Sequence, residues 1–328
     1  MPMQSEIQVQ AGTQSNYTTA ATPTVMIRGI EELSLKDAND VEVIGDMTQA
    51  LAGGDIGIVN GLNATGSMKG WASYDHLPYW LDNLFGKATP SGAGPYTRNY
   101  AAPITSAPAP RILSLVKGDG TVGAYQMVGA LLSSFTMRLE PKKRMEISGD
   151  LIGIQLAPDT LEALSAASVT PIMPNHVGAS GLKWDAWGGT MGTTTLANCT
   201  LRFMELNIKP DRASRWCIGN LAAQSYVEKP WDGTLKLGLE FNATTKTDVD
   251  AIIGGTLTQK QFQATISPGA SQSLQIQFAG TVKDDLEIFS DDDGVVTVEL
   301  TLQRTYHSTF ANWCKMVSIN GISNAAMV

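Results

Sequence analysis

The chain has 328 residues, of which 43% are hydrophobic and 16% charged, and its formal net charge at pH 7 is −8. The charged share is low against the roughly one quarter that is usual in globular proteins. The acidic balance argues against a nucleic-acid-binding protein, because such proteins neutralise phosphates with Lys and Arg. The length predicts two domains, and frequent Gly, Thr and Ser with few helical patterns predict a β-rich protein.

The cysteines and the N-terminal segment exclude two further classes. Cys199, Cys217 and Cys314 are widely spaced without a CxxC pair, so we expect reduced thiols rather than a disulfide framework. Residues 1–24 contain neither the basic nor the apolar region of a secretory signal. The chain also lacks the run of about 18 apolar residues that a membrane span needs. We therefore predict no membrane partner, and a polar arm over residues 1–24 that is flexible alone or ordered only on a partner.

In chain order, the first predicted strand covers residues 30–36, and a long connection over residues 37–65 follows it. The connection is dense in Gly and Asn, which mark turns, yet it also contains several apolar residues. A connection of this length is unusual inside a compact domain and is often functional. We expect its apolar residues to be buried against another surface, a second subunit being one option.

Residues 66–86 predict a short strand, a turn and an amphipathic helix. The apolar residues recur at helical spacing and form one stripe: Leu77, Trp80, Leu81, Leu84 and Phe85. Asp75 is placed to cap the start of this helix, and Pro78 is tolerated because it falls in the first turn. Gly86 stands where a helix-terminating glycine is expected.

The same order of elements recurs in residues 233–255, about half the chain later. An alternating strand leads to Thr245, and Asp248 follows three residues on, as in a capping box. Gly254 and Gly255 then close the predicted helix. We interpret the recurrence as a tandem duplication; the alternative is two unrelated β-rich halves that each contain one helix.

The remaining predicted elements are mostly strands. They cover residues 111–117, 122–128, 131–139 and 144–156 in the first half, and 200–209, 274–278, 282–289 and 295–305 in the second. A Pro-rich loop is predicted over residues 87–110, a short helix over 159–167, a turn over 290–294 and a second long connection over 211–232. The Pro- and Gly-rich break over residues 166–195 is the predicted domain boundary.

No constellation of residues predicts a reaction. His76, His176 and His307 lie in different segments without metal-ligand spacing. Nucleophile-elbow, Walker A and dinucleotide-binding motifs do not occur in the sequence. We therefore predict that the chain is not an enzyme and that it has no cofactor and no metal site.

Two charge clusters are candidate interaction sites. The acidic cluster consists of Asp284, Asp285, Glu287, Asp291, Asp292 and Asp293. We interpret it as a solvated hairpin turn, as a negative wall facing a polyanion, or as a patch that pairs with basic side chains of a neighbour. The basic run Lys142, Lys143 and Arg144 is too short for a nucleic-acid site, and it is a candidate complement to such a patch across an interface.

Four stretches together resemble the tail tube proteins of long-tailed, siphovirus-like bacteriophages, in the larger form with two tube domains in one chain. They are GSMKGWASYDHLPYWLDNLFG (66–86), LSSFTMRLEPKKRMEISGDLIG (132–153), CTLRFMELNIKPDRASRWCIG with GTLKLGLEFNATT (199–219 and 233–245), and GVVTVELTLQRTY (294–306). The similarity is one of pattern and order over about residues 25–307, rather than a strict signature.

The resemblance implies two tandem antiparallel β-sandwich or barrel tube domains, each with a flanking α-helix. The implied divisions are an arm over 1–24, a first tube domain over 25–165, a linker over 166–195, a second tube domain over 196–307 and a tail over 308–328. The implied protein is a structural subunit of a tail tube, whose stacked rings surround an often acidic channel. That channel holds the tape measure protein and passes DNA. The implied location is the virion tail, after assembly in the cytoplasm of the bacterial host.

In the family that the chain resembles, a long loop between early strands and the terminal arms stack the rings. The matching segments here are the loops 37–65 and 211–232, the arm 1–24 and the tail 308–328. The candidate stacking residues are therefore Asp37, Asp40, Val43, Asp46, Asp55 and Ile58. Two domains per chain imply a trimeric ring with pseudo-sixfold symmetry, and a ring of six chains is the alternative if the halves are not repeats. The alternative function is a capsid decoration or fibre-like adhesin that binds host glycans, with an exposed aromatic groove at Trp184 and Trp187.

Overall fold

The computed structural model describes residues 7–44, 56–283, 286–292 and 294–323, and this part of the chain is mainly β, as predicted. The strands of the first half are β1 (Gln8–Thr13), β2 (Val25–Met26), β3 (Ile30–Asp37), β4 (Asp40–Ile44), β5 (Ile56–Gly61), β6 (Ala64–Trp71), β7 (Tyr96–Ala101), β8 (Leu113–Asp119), β9 (Gly123–Leu139), β10 (Glu146–Gly153) and β11 (Gln155–Asp159). Those of the second half are β12 (Val177–Ala186), β13 (Leu201–Lys209), β14 (Arg212–Arg215), β15 (Ser225–Glu228), β16 (Asp232–Glu240), β17 (Gln259–Gly269), β18 (Gln272–Val282), β19 (Glu287–Asp292), β20 (Val295–Arg304) and β21 (Cys314–Asn320). Within these described residues each half also contains one α-helix, α1 (Leu77–Phe85) or α2 (Ala243–Ile253).

Helix α1 forms where its apolar stripe predicted it, and all of its residues are buried. Pro78 lies in the first turn, and Gly86 follows the helix at φ 109° with its N–H bonded back into the last turn. The predicted cap is wrong, because His76 rather than Asp75 is the N-cap residue and makes no side-chain cap hydrogen bond. Asp75 accepts instead from the N–H of Thr170 at 3.0 Å.

Helix α2 begins with a reciprocal cap that lies three residues earlier than predicted. Asn242 Oδ1 accepts from the Thr245 N–H at 3.2 Å, and the Asn242 N–H donates to Thr245 Oγ1 at 2.8 Å. The predicted box between Thr245 and Asp248 is wrong, because Asp248 accepts from the indole N–H of Trp184 at 2.9 Å. Gly255, at φ 75°, follows the end of the helix as predicted.

One long antiparallel sheet runs through both halves of the chain. In the first half its strands pair in the order β3–β6–β10–β9, and in the second half in the order β13–β16–β20–β19. The end of β9 pairs with β13, so that Phe135 faces Ile208 and Leu139 faces Met204. This β9–β13 junction merges the two sets of strands into a single sheet.

A second set of strands packs on the long sheet through the hydrophobic core. In the first half it runs β2–β1–β8–β9–β11, and in the second half it runs β12–β17–β18–β21. Strand β9 belongs to both layers because it bends at Gly129, which has φ 73°. The two strands predicted at residues 122–128 and 131–139 are therefore one strand.

The pairing order repeats between the halves. In the second layer of the first half the order is β1–β8–β9–β11, and in the second half it is β12–β17–β18–β21. The first part of β9 therefore corresponds to β18. Both β3 and β13 contain a β-bulge after their first pair, between Ile30 and Glu32 and between Leu201 and Phe203. A hairpin follows each of these strands, β4–β5 in the first half and β14–β15 in the second.

Several segments predicted as loops contain strands. Strand β1 lies in the predicted arm, β7 in the Pro-rich segment, β12 in the predicted linker and β21 in the predicted tail. Strand β21 pairs with both β18 and β7, so the C-terminal segment joins the two halves. One hydrophobic cluster includes residues of both halves, from Val9 to Met316. The halves therefore share a core within the described residues.

The helix predicted over residues 159–167 is wrong. Strand β11 ends at Asp159, and the residues after it have no regular structure. The side chain of Gln10, which is buried, donates to the Glu162 carbonyl at 2.8 Å and accepts from the Glu162 N–H at 3.0 Å. These two bonds replace the backbone hydrogen bonds that a helix would supply there.

Candidate assembly surfaces

The face of the long sheet that points away from the core is polar. Side chains alternate between faces along a strand, so core residues such as Met68, Met137 and Leu206 leave the intervening positions on the other face. Two rows of facing residues cross the β9–β13 junction. One is Lys69, Ser148, Thr136, Asn207, Thr234 and Gln303, and the other is Glu146, Arg138, Glu205, Lys236 and Thr301. Hydroxyl, amide and charged side chains form these rows.

The charges on this polar face are of both signs and are paired. Arg138 donates to Glu205 across the β9–β13 junction at 2.6 Å, and it also pairs with Glu140. Partial burial by itself lowers the pKa of Arg138, but the two carboxylates outweigh burial and hold this pKa above its ordinary value. Lys236 pairs with Glu299 in the same way. In the described residues this face is therefore mixed in charge.

The hairpins β4–β5 and β14–β15 leave the same end of the long sheet and lie side by side. The Leu62 N–H donates to the Leu221 carbonyl at 2.8 Å, and a Cβ on Gly61 would lie 3.3 Å from the indole nitrogen of Trp216. The two hairpins expose a set of apolar side chains that we call the hairpin patch: Val41, Val43, Ile58, Val59, Trp216, Ile218, Leu221 and Val227. Exposed apolar residues at this density are typical of an interaction surface.

The predicted stacking residues lie largely on the first hairpin, β4–β5. The structure places four of them on β4–β5 or beside it, namely Asp37, Asp40, Val43 and Ile58. Asp46 and Asp55 lie outside the described residues. The second connection, residues 211–232, which the resemblance also implied to be a stacking segment, supplies the neighbouring hairpin and half of the patch.

Arg212, at the start of β14, ties the second hairpin to helix α1. Its buried guanidinium donates to the carbonyls of Asn83 and Leu84, each at 2.7 Å, and to Glu228 Oε1 at 2.6 Å. Carbonyls in the last turn of a helix lack partners within the helix, and Arg212 supplies them. Burial lowers the pKa of Arg212, and the Glu228 carboxylate opposes that shift. Sequence reasoning missed this residue, because its helical partners lie in the other half of the chain.

The acidic cluster is only partly described. Glu287, Asp291 and Asp292 lie on β19, whereas Asp284, Asp285 and Asp293 lie outside the described residues. Asp291 is exposed and accepts from the Gly294 N–H at 2.8 Å. The turn predicted over residues 290–294 is shorter than expected, because Ser290 and the two residues after it pair with β20.

The basic run lies in the hairpin between β9 and β10. Lys143 donates to Glu140 at 2.6 Å, and Arg144 donates to Glu31 at 2.7 Å. The side chains of both basic residues are largely exposed, so water and salt screen these ion pairs and each contributes little to stability. Lys142 has φ 66° in the same turn.

The long sheet has two open edges in the described part of the chain. Strand β3 is paired there with β6 alone, and β19 with β20 alone. On the β3 edge the Leu33 carbonyl accepts from Lys117 Nζ at 2.5 Å. On β19 the Ser290 hydroxyl oxygen is buried without a hydrogen-bond partner among these residues. Open strand edges are templates for pairing with another chain.

The three histidines have separate structural roles. His76 Nδ1 accepts from the Arg28 N–H at 2.9 Å, and burial lowers its pKa. His176 contacts the Tyr74 hydroxyl at 3.1 Å. Within the described ranges, no group of three or more His, Cys, Asp or Glu residues could hold a metal ion. In the same ranges, no helix has the length and apolar character of a membrane span.

Trp184 and Trp187 do not form an exposed aromatic groove. Trp184 is buried, and its indole N–H is bonded to Asp248. The Trp187 ring packs edge-on against His307 with 4.6 Å between ring centroids. The groove expected for a glycan-binding adhesin is therefore absent at this pair.

A mainly β chain with a polar sheet face, two open sheet edges and an apolar hairpin patch has the features of a self-assembling structural protein. The family model described as phage tail tube protein matches residues 4–304, and the chain belongs to this family. A comparison with curated proteins finds no match. The family confirms the resemblance stated above and makes the chain a structural subunit of a phage tail.

Proposed function

We propose that copies of this chain close into rings through the open edges of the long sheet. The observation that supports this most directly is the β9–β13 junction, which already joins two half-chains edge to edge. Strand β3 takes the place of β13 in the repeated pairing order, and β19 takes the place of the end of β9. The open edges of β3 and β19 would therefore pair between two chains in the way that β13 and β9 pair within one chain.

One contact of this kind, repeated around an axis, closes a ring. Two equivalent halves per chain favour three chains with pseudo-sixfold symmetry, because each position around the ring is then a half-chain. A ring of six chains is the alternative. In this proposal the two units of each chain are the tube domains over residues 25–165 and 196–307. We add β1 to the first unit because it pairs with β8, and β12 and β21 to the second because they pair with β17 and β18.

The rings would stack end to end, with the hairpin patch of one ring buried against the next. The polar face of the long sheet would line the channel that holds the tape measure protein and passes DNA. In the part of the chain that the structure describes, its mixed charges and short hydroxyl side chains offer no basic patch on which phosphates would be retained. Assembly would take place in the bacterial cytoplasm before the tube becomes part of the virion.

Electron microscopy of the concentrated protein tests both steps. We expect rings and tubes from the natural sequence, and isolated rings from a variant with Val43→Asp and Ile218→Asp, because each carboxylate would be buried against the next ring. Ile253→Asp is the matched control, since Val43 and Ile253 are each 65% exposed, and it should leave tubes intact. A chain that stays monomeric at every concentration and salt level would refute the proposal.

A further inference from the structure

The intrachain junction defines which residues should meet when two chains pair, and this inference rests on the proposed ring. We propose that β3 of one chain pairs with β19 of the next in the register that β13 and β9 use within the chain. Ser34 then faces Ser290 of the second copy, and Lys36 faces its Glu287. The partner is a second copy of this chain, because the open edges are continuous with a sheet that the chain already builds.

The bulges align β3 with β13. In β3 the bulge precedes Glu32, and the next residue, Leu33, is buried. In β13 the bulge precedes Phe203, and the next residue, Met204, is buried. Counting onward, Ser34 stands in the place of Glu205 and Lys36 in the place of Asn207.

Strands β10 and β20 align β9 with β19. Lys69 pairs with Glu32 on one side and with Ser148 on the other. Gly238 likewise pairs with Phe203 on one side and with Glu299 on the other, so Glu299 corresponds to Ser148. Ser148 pairs with Thr136, and Glu299 pairs with Glu287, so Glu287 stands in the place of Thr136.

The same alignment places Ser290 opposite Ser34, which lies two residues before Lys36 on β3. Glu146 pairs with Arg138, and the corresponding Thr297 pairs with Ser290. Within the chain, Arg138 faces Glu205 and Thr136 faces Asn207. Transferring these two pairs to the open edges gives Ser290 facing Ser34 and Glu287 facing Lys36.

The side chains at these positions suit the proposed register. The buried Ser290 hydroxyl has no partner within the described chain, and Ser34 would offer it one. Lys36 and Glu287 have opposite charges, which favours a cross-strand pair. Leu35 and Ile288 face each other between these two proposed pairs, and both are half-buried. They correspond to Leu206 and Met137 of the intrachain junction, which are fully buried. Pairing would complete the burial of Leu35 and Ile288.

A second charge pair falls at the same edge. The register brings Asp291 of one chain opposite Leu33 of the next, as Leu139 faces Met204 within the chain. The Leu33 carbonyl is the atom that Lys117 Nζ contacts at 2.5 Å. The Lys117 ammonium group therefore lies beside the residue that Asp291 of the next chain would face. This gives the acidic residues of β19 a specific partner on the neighbouring chain.

Disulfide trapping tests the register. The background variant replaces the exposed Cys199 and Cys217 by Ser and keeps the buried Cys314. Ser34→Cys with Ser290→Cys should form interchain disulfides in oxidised tubes, because directly facing residues lie within disulfide reach. A non-reducing gel should then show a ladder that ends at three chains for a trimeric ring. The matched control, Lys36→Cys with Ser290→Cys, is shifted by two residues and should remain monomeric on the gel.

The outcomes separate the register from the ring itself. Tubes that are normal by electron microscopy but give no Ser34–Ser290 disulfide, or that cross-link equally in the shifted control, would overturn the register and leave ring formation standing. A chain without rings under any condition would overturn both. As a second measurement, Lys36→Glu should raise the concentration needed for assembly roughly fivefold per junction. Adding Glu287→Lys should restore assembly, and failure of this rescue would also count against the register.

Discussion

Removal of the Arg212 guanidinium should loosen the contact between the second hairpin and helix α1. We consider Arg212→Met, which keeps the apolar length of the side chain but removes all of its donors. The carbonyls of Asn83 and Leu84 then lose their side-chain donor. Glu228, which is 4% exposed, keeps a bond to the Trp231 indole but loses its cationic partner.

The expected cost is large because a buried charge is left unpaired. Removing one partner of a buried ion pair typically destabilises a protein by about 3–5 kcal/mol. Replacing Glu228 by Gln in the same chain removes the unpaired charge, although the helix carbonyls stay unsatisfied. The double variant should therefore be destabilised less than the sum of the two single variants, which is the signature of direct coupling.

Denaturant unfolding of the unassembled chain, followed by tryptophan fluorescence, measures these differences. The matched control is Arg215→Met, on the same strand but exposed, and it should change the unfolding free energy by less than about 0.5 kcal/mol. Loss of less than about 1 kcal/mol in Arg212→Met would show that the guanidinium does not hold the hairpin on the helix. Strict additivity in the double variant would show the same for the Arg212–Glu228 pair.

Two further substitutions test the fold around helix α1. Burial lowers the pKa of His76, so the unfolded chain binds more protons and stability should fall as pH drops through about 6.5. His76→Asn keeps an acceptor for the Arg28 N–H, and it should flatten this dependence of melting temperature on pH. Parallel curves for the two proteins would show that His76 is not the group responsible. A Cβ on Gly70 would lie 1.9 Å from the Gly29 carbonyl oxygen, so Gly70→Ala should cost at least about 1–3 kcal/mol of unfolding free energy. Gly269→Ala, where a Cβ meets nothing within 4 Å, should cost less, and equal costs would show that the close strand approach at Gly70 is not the cause.

Local chemistry let the sequence predict the elements whose stabilising contacts are close along the chain. Pro78 and Gly86 bracket α1 because the first and last turns of a helix have their own backbone requirements. The alternating patterns of β13 and β20 predicted both strands to within a residue or two, because one face of each is buried. The repeated strand–helix order, and with it the resemblance to tail tube proteins, follows from these local signals.

The tertiary structure decided the elements whose partners are distant. Strand β1 contains the polar residues Gln8 and Gln10 and is a strand because β8, more than a hundred residues later, supplies its hydrogen bonds. The Gln10 side chain also donates to the Glu162 carbonyl and accepts from the Glu162 N–H, where the sequence predicted a helix. No local pattern encodes such pairing, because its free energy comes from contacts that exist only after the chain has closed on itself.

The same division applies to the candidate assembly surfaces. The sequence by itself determined that residues 37–65 contain exposed-turn and apolar signals together, and it placed Val43 and Ile58 in that segment. Only the tertiary structure brought the second hairpin beside the first, fixed it through Arg212, and left the edges of β3 and β19 open. Hydrophobic periodicity records which side of a strand is buried, whereas strand order, and therefore which edges stay free, is set by how distant strands pack and pair.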